Sequence, residues 1–367
     1  MERPFKTQLH LQKEVSPQVE PIFETLYTPI LSTNTSETNI TINTTDTAKT
    51  TFVKKYPQLV MPLSRLDANK QLKEKFEYVS SNEINKFEYY NPSPFAHADA
   101  SSILGPRDSM EDTYAIAKLS DNCEFYGVFD GHGGWEISVL LKDILPKKII
   151  DLLENDKTFD YTDLTIVTNL VRKVCRDIGN EIFELENWNR IGSTAVFVLR
   201  FDKYVYVVNI GDSTAVIFDE QHKIVYKTKN HKPNDANEKS RIEKMGSMVY
   251  FGRVDCSLAV SRSFGDNRFN QRQNGCDCFN TVISCEPDIY QFIIPENSNH
   301  YLVLGSDGLW DNCQFLNNKI TSETFFFEKL AENVILQPPR DASINIVNMA
   351  FDTNVYDNIT VVVVRLN

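Results

Sequence analysis

Acidic residues occupy four places in the sequence where a predicted strand meets a loop. They are Glu111 and Asp112 in RDSMED, Asp130 in FDGHGG, Asp307 in GSDGLWD and Asp357 in YDNITVVVV. Bringing carboxylates together is costly unless a cation neutralises them, and hard divalent cations prefer carboxylate, carbonyl and water oxygens. No group of histidines or cysteines competes, which disfavours a zinc site with nitrogen or sulfur ligands. The pattern therefore favours a hard divalent cation, provided that the fold brings these acids together.

The stretch YGVFDGHGGWE adds two residues that bear on this chemistry. Gly131 lacks a Cβ atom, which would let its backbone carbonyl approach a metal closely. His132 follows it. Taken alone, an Asp-Gly pair after a strand is most often a turn, and a single histidine is more often structural than catalytic. A second Asp-Gly pair at Asp307, again after an apolar run, makes the interpretation as a simple turn harder to sustain.

Apolar patterns predict the elements that must position these residues. Strands are predicted at 123–130, 193–201, 203–213, 213–228, 300–311 and 357–366. Helical spacing predicts a helix after Gly134 that Pro146 interrupts, a second from about Tyr161 to Asn187, and a third over 236–246 that Gly246 closes. Strands 193–228 follow one another as a hairpin-linked meander, so a doubly wound parallel sheet fits poorly. The predicted fold is α+β, with helices packed against a β-sandwich.

Residues 1–95 differ from the remainder of the chain. The segment LSTNTSETNITINTTDTAKTT (31–51) is low in complexity, and burial cannot offset its ordering entropy because large apolar groups are nearly absent. We expect 1–95 to be a largely disordered extension, with a short amphipathic helix at most over 66–79. Residues 96–367 are expected to form the folded domain that carries the acids.

Composition excludes several classes of function. The chain has 367 residues and a formal net charge of −12, which argues against a nucleic-acid partner. Seven cysteines, an odd number, indicate reduced thiols rather than a disulfide framework. No secretory leader, myristoylation signal or run of eighteen apolar residues is visible, so we expect no stable membrane insertion. The expected location is cytoplasmic, nuclear or both.

Eight motifs carry a resemblance to a known family. In chain order they are GPRDSMEDTY, YGVFDGHGG, GSTAV, VVNIGDSTAV, RIEKMGSMV, GRVDCSLAVSRSFGD, LVLGSDGLWD and DNITVVVV. The series resembles that of the metal-dependent Ser/Thr protein phosphatases of type 2C, from about residue 97 to the C-terminus. The resemblance implies a catalytic domain over 96–367. It also implies a β-sandwich of two antiparallel sheets flanked by helices on both sides, a four-layer α-β-β-α fold.

The resemblance implies a set of metal ligands. Asp130 resembles the carboxylate that bridges two Mn²⁺ or Mg²⁺ ions, with the carbonyl of Gly131 on one of them. Asp307 and Asp357 resemble ligands of the second ion. Glu111 resembles a ligand that acts directly or through water. A weaker third ion is implied as well, and Asp212 in NIGDS resembles its ligand.

The resemblance also implies three catalytic residues. Asp112 matches the acid that orients or deprotonates the attacking water, and Arg107 matches the residue that grips the substrate phosphate with its forked donors. His132 matches the general acid that protonates the departing Ser or Thr oxygen. The implied reaction is direct in-line attack on phosphoserine or phosphothreonine by a water or hydroxide that bridges the two ions. Phosphoproteins are the implied substrates, and a monomer is expected.

Two alternatives stay open at this point. A catalytically silent type 2C-like scaffold or regulatory binding protein would typically lack one or more metal acids, whereas Asp130, Asp307 and Asp357 are all kept. A two-metal nuclease or other phosphohydrolase is opposed by the net charge and by the lack of a basic, aromatic-rich stripe. The chain departs from the family pattern at Asp255 and Cys256, where Asn-Gly is usual, and 267–280 is predicted to be a variable surface loop.

Overall fold

The structure of this chain, a computed structural model, describes residues 93–367 except 157, 186–187, 271–276, 312, 314, 317–318, 321 and 353–355. The predicted disordered extension lies outside the described residues, apart from its last three positions, and so does the predicted helix over 66–79. Among the residues that are described, no helix is both long enough and apolar enough to cross a membrane.

Two five-stranded sheets form the centre of the fold, and every pairing within them is antiparallel. In spatial order the first sheet contains β1 (Ala98–Ile103), β17 (Ile359–Leu366), β14 (His300–Gly305), β8 (Thr214–Asp219) and β9 (Ile224–Lys227). The second contains β13 (Asp288–Ile293), β7 (Tyr204–Ile210), β6 (Ala195–Phe201), β3 (Cys123–Phe129) and β2 (Thr113–Ser120).

Side chains of these strands alternate between the inside of the sandwich and its two outer faces. Tyr126 and Val128 of β3 join a buried cluster with residues of the opposite sheet, whereas Phe125 and Phe129 face the helices. In β17 the four consecutive valines divide in the same way between two clusters. A strand that is buried on both faces needs apolar residues at every position, which explains the continuous run VVVV.

Helices cover both outer faces of the sandwich. The helices are α1 (Glu136–Asn155), α2 (Leu164–Phe183), α3 (Ala236–Lys244), α4 (Asp307–Trp310), α5 (Glu323–Leu336) and α6 (Pro339–Phe351). Buried residues of α1 and α2 pack on the second sheet, and buried residues of α5 and α6 pack on the first. The predicted α+β fold, a four-layer α-β-β-α sandwich, is confirmed.

The prediction that Pro146 interrupts the first helix is wrong, because α1 continues through it to Asn155. Proline inside a helix removes one hydrogen bond and costs about 3 kcal/mol. The apolar face of α1 continues past Pro146 to the buried Ile149, so its burial outweighs this loss. The second helix is shorter than predicted, since the Asp163 side chain caps it by accepting a hydrogen bond from the Thr165 N–H at 2.7 Å.

The predicted meander over 193–228 is also corrected. Strands β6 and β7 form a hairpin in the second sheet, but β8 and β9 form a hairpin in the first sheet. The chain crosses from one sheet to the other at Gly211, whose φ of +113° favours glycine. Asp212 therefore lies at the crossing point between the two layers.

The described parts of 236–285 contribute a small unit with an apolar cluster around Ile242, Val254 and Val282, while Phe264 and Phe279 pack in the core with α1 and α2. The predicted third helix is observed as α3, and Gly246 follows it with φ +90°. A hairpin joins β10 (Val249–Tyr250) to β11 (Arg253–Val254). The described parts of 267–280 are not simply a surface loop as predicted, because they include the 3₁₀-helix Asn267–Phe269 and buried side chains.

Short strands form two further small sheets in the part of the chain that the structure describes, besides the β10–β11 hairpin. β4 (Gly131–His132), β5 (Gly192–Ser193) and β12 (Phe264–Gly265) form a small antiparallel sheet, and β15 (Phe315–Leu316) pairs with β16 (Lys319–Ile320). The antiparallel registers place the start of β2, the end of β3, the β7–β8 crossing, the end of β14 and the start of β17 at one end of the sandwich. Every predicted acid lies at this end.

Candidate metal centre and active site

Three carboxylates meet at the acidic end of the sandwich. Oxygen atoms of Asp130, Asp212 and Asp307 all lie within 4.8 Å of one another, close enough to share one ion. Asp130 follows β3, Asp212 lies at the crossing between the sheets, and Asp307 begins α4. The three residues thus come from segments that are far apart in sequence, and only the closure of the sandwich unites them.

Burial and mutual repulsion perturb this cluster strongly. Desolvation, followed by the charge of neighbouring carboxylates, holds the pKa of Asp130 well above its usual range, and Asp112 and Asp357 are among these neighbours. The pKa of Asp307 is raised well above its usual range for the same reasons. Carboxylates in this state favour a bound cation, because a cation would remove both the repulsion and the cost of desolvation.

Asp112 supplies a further observation that fits a cation site. It is buried, and desolvation raises its pKa to about 7 although hydrogen bonds with Ser306 and Thr360 oppose the shift. Its Oδ2 atom has no hydrogen-bond partner among the residues that the structure describes. A buried orphan oxygen beside Asp130 requires water or a cation to satisfy it. The donor set is composed of hard oxygen atoms, which suits Mg²⁺ and Mn²⁺.

Gly131 lacks a side chain for a reason that the sequence did not reveal. A Cβ atom there would lie 2.4 Å from the backbone oxygen of Glu111, to which the Gly131 N–H donates a hydrogen bond at 3.2 Å. The same oxygen accepts a bond from the Ser138 hydroxyl at 2.5 Å. The glycine thus allows the segment of Glu111 and Asp112 to pass directly against the turn after Asp130.

Arg107 lies at the same end of the sandwich and is bound to Asp357. Its guanidinium donates to Oδ2 of Asp357 at 2.8 Å and to the carbonyl oxygen of Tyr356 at 2.7 Å. About half of the side chain is exposed. Burial raises the pKa of Asp357, while the charge of Arg107 opposes this rise. The structure therefore presents a solvent-accessible cation at the rim of the acidic site.

His132 pairs with a buried carboxylate, Asp266, which was not predicted from the sequence. Its Nε2 atom lies 2.6 Å from Oδ2 of Asp266, and the same oxygen accepts a bond from the Ser263 hydroxyl at 2.6 Å. Burial alone would lower the pKa of His132, but the charge of Asp266 and the bond to it raise the pKa. A Cβ atom on Gly192 would lie within 2.3 Å of both side chains, so this glycine leaves room for the pair. The motif SRSFGD contains Asp266, but nothing in its spacing points to His132.

Two more charged residues were not predicted from the sequence. Asp311 lies one helical turn after Asp307, and this spacing of four residues was a usable signal. Lys232 bonds through its ammonium group to Oδ2 of Asp212, which is 3% exposed. Burial opposes the charge of Lys232, but Asp212, Asp311 and Asp307 raise its pKa. The residue predicted for a third ion therefore already has a cationic partner.

Solved structures of phosphatases share this fold. The chain resembles two phosphatases from Toxoplasma gondii, one of them described as a serine-threonine phosphatase 2C, each with a TM-score of 0.59. Sequence identities are 23% and 22%, and the alignments cover 73% and 76% of this chain and 91% and 98% of the other chains. At such identities the likeness establishes the fold, and other comparisons must establish the family.

Sequence comparisons establish the family. Protein phosphatase 1L of Bos taurus is 32% identical over 273 residues, which cover 72% of this chain and 71% of that protein. A probable protein phosphatase 2C 56 of Oryza sativa is 31% identical over 283 residues, with coverages of 73% and 70%. The family description Protein phosphatase 2C matches residues 96–337, which include all the acids of the site except Asp357. With its acids gathered at one end of a four-layer sandwich, the chain belongs to the Protein phosphatase 2C family and is a protein serine/threonine phosphatase.

Proposed function

We propose that this phosphatase depends on Mn²⁺ or Mg²⁺ held by the acidic end of the sandwich, and that it hydrolyses phosphoserine and phosphothreonine directly. The observation that carries the proposal is the meeting of the Asp130, Asp212 and Asp307 oxygens within 4.8 Å. The residues that would hold two ions are Asp130, Asp307, Asp357, Glu111 and Gly131, the last through its carbonyl oxygen. When bound, two divalent cations supply a water of lowered pKa and offset the charge of the phosphate.

The remaining residues have roles that follow from their positions. Asp112 would accept a hydrogen bond from the attacking water through its free Oδ2 atom. Arg107 would orient the phosphate, since its guanidinium is accessible and has fork-shaped donors. His132 would donate a proton to the departing oxygen, and its hydrogen bond to the Asp266 carboxylate would keep the imidazole charged and oriented for this step.

The substrates follow from the family and from the charge of the chain. Members of this family act on phosphoproteins, and a net charge of −12 disfavours phosphodiesters in a nucleic acid. A silent scaffold is the competing proposal. The retention of all predicted acids, together with the perturbed pKa values of Asp112, Asp130 and Asp307, supports an enzyme instead.

Peptide hydrolysis under metal control tests this proposal. We expect the full chain to release phosphate from phosphoserine and phosphothreonine peptides with Mn²⁺ or Mg²⁺, and to stop when EDTA is added. Phosphotyrosine peptides and bis-p-nitrophenyl phosphate, a diester, should react at least about 10²-fold more slowly. The variant Asp307→Asn should lose activity, whereas Asp121→Asn, in an exposed hairpin, should not.

Three results would reject the proposal. Hydrolysis that persists in EDTA would show that the acids serve another purpose. Absence of hydrolysis with every peptide and both metals, in a chain that melts cooperatively, would favour the scaffold. A preference for the diester would instead favour the nuclease alternative.

A further inference from the structure

We propose that the ammonium group of Lys232 competes with a third divalent ion for the carboxylate of Asp212. This inference rests on the proposed metal centre and concerns only the position next to Asp212. The ammonium group of Lys232 bonds directly to Oδ2 of this almost fully buried carboxylate. It also lies close enough to Asp307 and Asp311 for their charges to raise its pKa.

The backbone holds Lys232 in this place. The preceding residue, His231, donates its N–H to the Gly211 carbonyl at 2.9 Å and accepts a bond from the Gly211 N–H at Nδ1, at 3.0 Å. The Asn230 side chain accepts a bond from the Thr214 hydroxyl at 2.8 Å. The segment before Lys232 is therefore fastened to the same crossing that presents Asp212. The contact between the two side chains is a product of the fold rather than of a freely moving lysine.

The charges at this position account for a weak third ion. Asp212 and Asp307 lie within 4.8 Å of each other and of Asp130, and Asp311 follows one helical turn after Asp307. A divalent ion bound there must displace the ammonium group from Asp212 or bind within a few ångströms of it. Both routes weaken binding of the ion. The first loses the ion pair between Lys232 and Asp212, and the second places like charges close together.

The side chain of Lys232 is also about one-third exposed, so it is able to swing away from Asp212 when an ion enters. This distinguishes it from a cation that is permanently enclosed. The site would then hold two ions tightly and admit a third only at high concentration. Occupancy of the third position would depend on the withdrawal of Lys232.

Counting of bound Mn²⁺ by electron paramagnetic resonance tests the inference, because free Mn²⁺ gives the sharp signal and protein-bound Mn²⁺ does not. The full chain is titrated as wild type, Lys232→Met, Lys232→Gln and Lys232→Arg. We expect the third Mn²⁺ to bind about tenfold or more tightly in the two neutral variants, with the first two ions unchanged. Lys232→Arg should behave like wild type because it keeps the charge. Lys229→Met is the matched control, since Lys229 pairs with Asp235 outside the cluster.

The outcomes separate this inference from the proposed function. The role of Lys232 is overturned if both neutral variants bind the third Mn²⁺ ion no more tightly than wild type does. Each variant must show a cooperative melting transition for this comparison. A raised KM for a phosphopeptide with unchanged ion counts would overturn it as well, and would assign Lys232 to the substrate phosphate. Failure of the wild type to bind even two ions would instead reject the proposed metal centre.

Discussion

At the scale of single residues, the pairing of His132 with Asp266 is the contact that bears most on the general-acid role proposed for His132. A buried carboxylate at 2.6 Å both fixes the orientation of the imidazole and stabilises its charged form. Such a pair is needed when a proton must be delivered to a poor leaving group, such as the alkoxide of serine. It matters little when the leaving group is already a stable anion.

This difference gives a prediction for Asp266→Asn. We expect kcat for a phosphoserine peptide to fall about 10-fold to 100-fold, because the amide no longer stabilises the imidazolium. With p-nitrophenyl phosphate, whose leaving group needs no proton, the loss should stay within about threefold. Steady-state kinetics on both substrates measures the ratio, and Asp121→Asn serves as the unaffected control. An equal loss on both substrates would indicate that Asp266 only supports the local fold.

The sequence predicted most acids of the site, but it predicted neither Asp311 nor the partners of these acids. Asp130 and Asp307 stood out because each ends an apolar run, and Asp212 was added by resemblance. Asp266 and Lys232 gave no comparable signal. Lys232 is brought beside Asp212 by the register of the β8–β9 hairpin, whereas the Asp266–His132 bond spans 134 positions. Such contacts depend on the packing of distant segments, which local spacing does not encode.

At the scale of elements, one ion cluster fastens α3 to the rest of the small unit over 236–285. Glu238 of α3 accepts hydrogen bonds from Arg262 and Arg241, and its side chain is only 6% exposed. The guanidinium of Arg241 also donates to the carbonyls of Thr281 and Val282 at 2.6 and 2.8 Å. This cluster thus joins three separate segments of the unit through one carboxylate.

Acid should weaken this cluster in a defined range of pH. Burial would raise the pKa of Glu238, but the two arginines lower it from 4.5 to about 2. Its stabilisation is therefore complete above about pH 4.5 and disappears as the pH falls towards 2. We expect Glu238→Gln to lower the free energy of unfolding at pH 7 by on the order of 3 kcal/mol, and the difference to shrink below pH 4.5.

Urea unfolding at several pH values measures this difference. The control is Glu243→Gln on the same helix, whose carboxylate is half exposed and lies 3.7 Å from Lys239. Exposed pairs of this kind contribute about 1 kcal/mol or less. An effect of Glu238→Gln that stays constant from pH 7 to pH 3 would show that its charge is not the source of the stabilisation.

Helices and strands were predicted correctly where the apolar pattern was long. The prediction failed where tertiary packing determined whether a helix continued or which sheet a strand joined. The strands β3, β14 and β17 were found because each is buried on both faces and is therefore continuously apolar. Pro146 was misjudged, since the buried face of α1 compensates for a local defect. The crossing at Gly211 was missed because β7 and β8 look like consecutive hairpin strands, and the choice of sheet depends on long-range pairing.

At the scale of the whole molecule, the two sheets gather negative charge at one end of the sandwich and thereby make the metal-free protein sensitive to pH. A folded-state pKa that is raised, such as the value of about 7 for Asp112, gives stability that is present at low pH and is lost as the pH rises through that value. Without cations, the carboxylates must ionise next to one another. Bound cations relieve this repulsion by displacing protons.

Thermal melting with and without metal tests this consequence. In EDTA we expect the Tm to fall as the pH rises from about 5 to about 8, and the gain in Tm on adding Mn²⁺ to grow over the same range. Replacement of Asp112 by Asn should make both trends less steep, because one titrating group is removed. A gain from Mn²⁺ that is independent of pH would contradict the coupling between protons and cations at this end of the molecule.

In the proposed mechanism, the acids at the end of the sandwich form one cation site, and hydrolysis depends on it. The most direct test compares wild type with Asp130→Ala in two assays on the same preparation, Mn²⁺ binding and hydrolysis of a phosphoserine peptide. We expect the variant to lose the tightly bound ions and at least about 10³-fold in kcat/KM together, while its fold is retained. Hydrolysis that survives in Asp130→Ala, or tight ions that remain bound while activity is lost, would contradict the proposed mechanism.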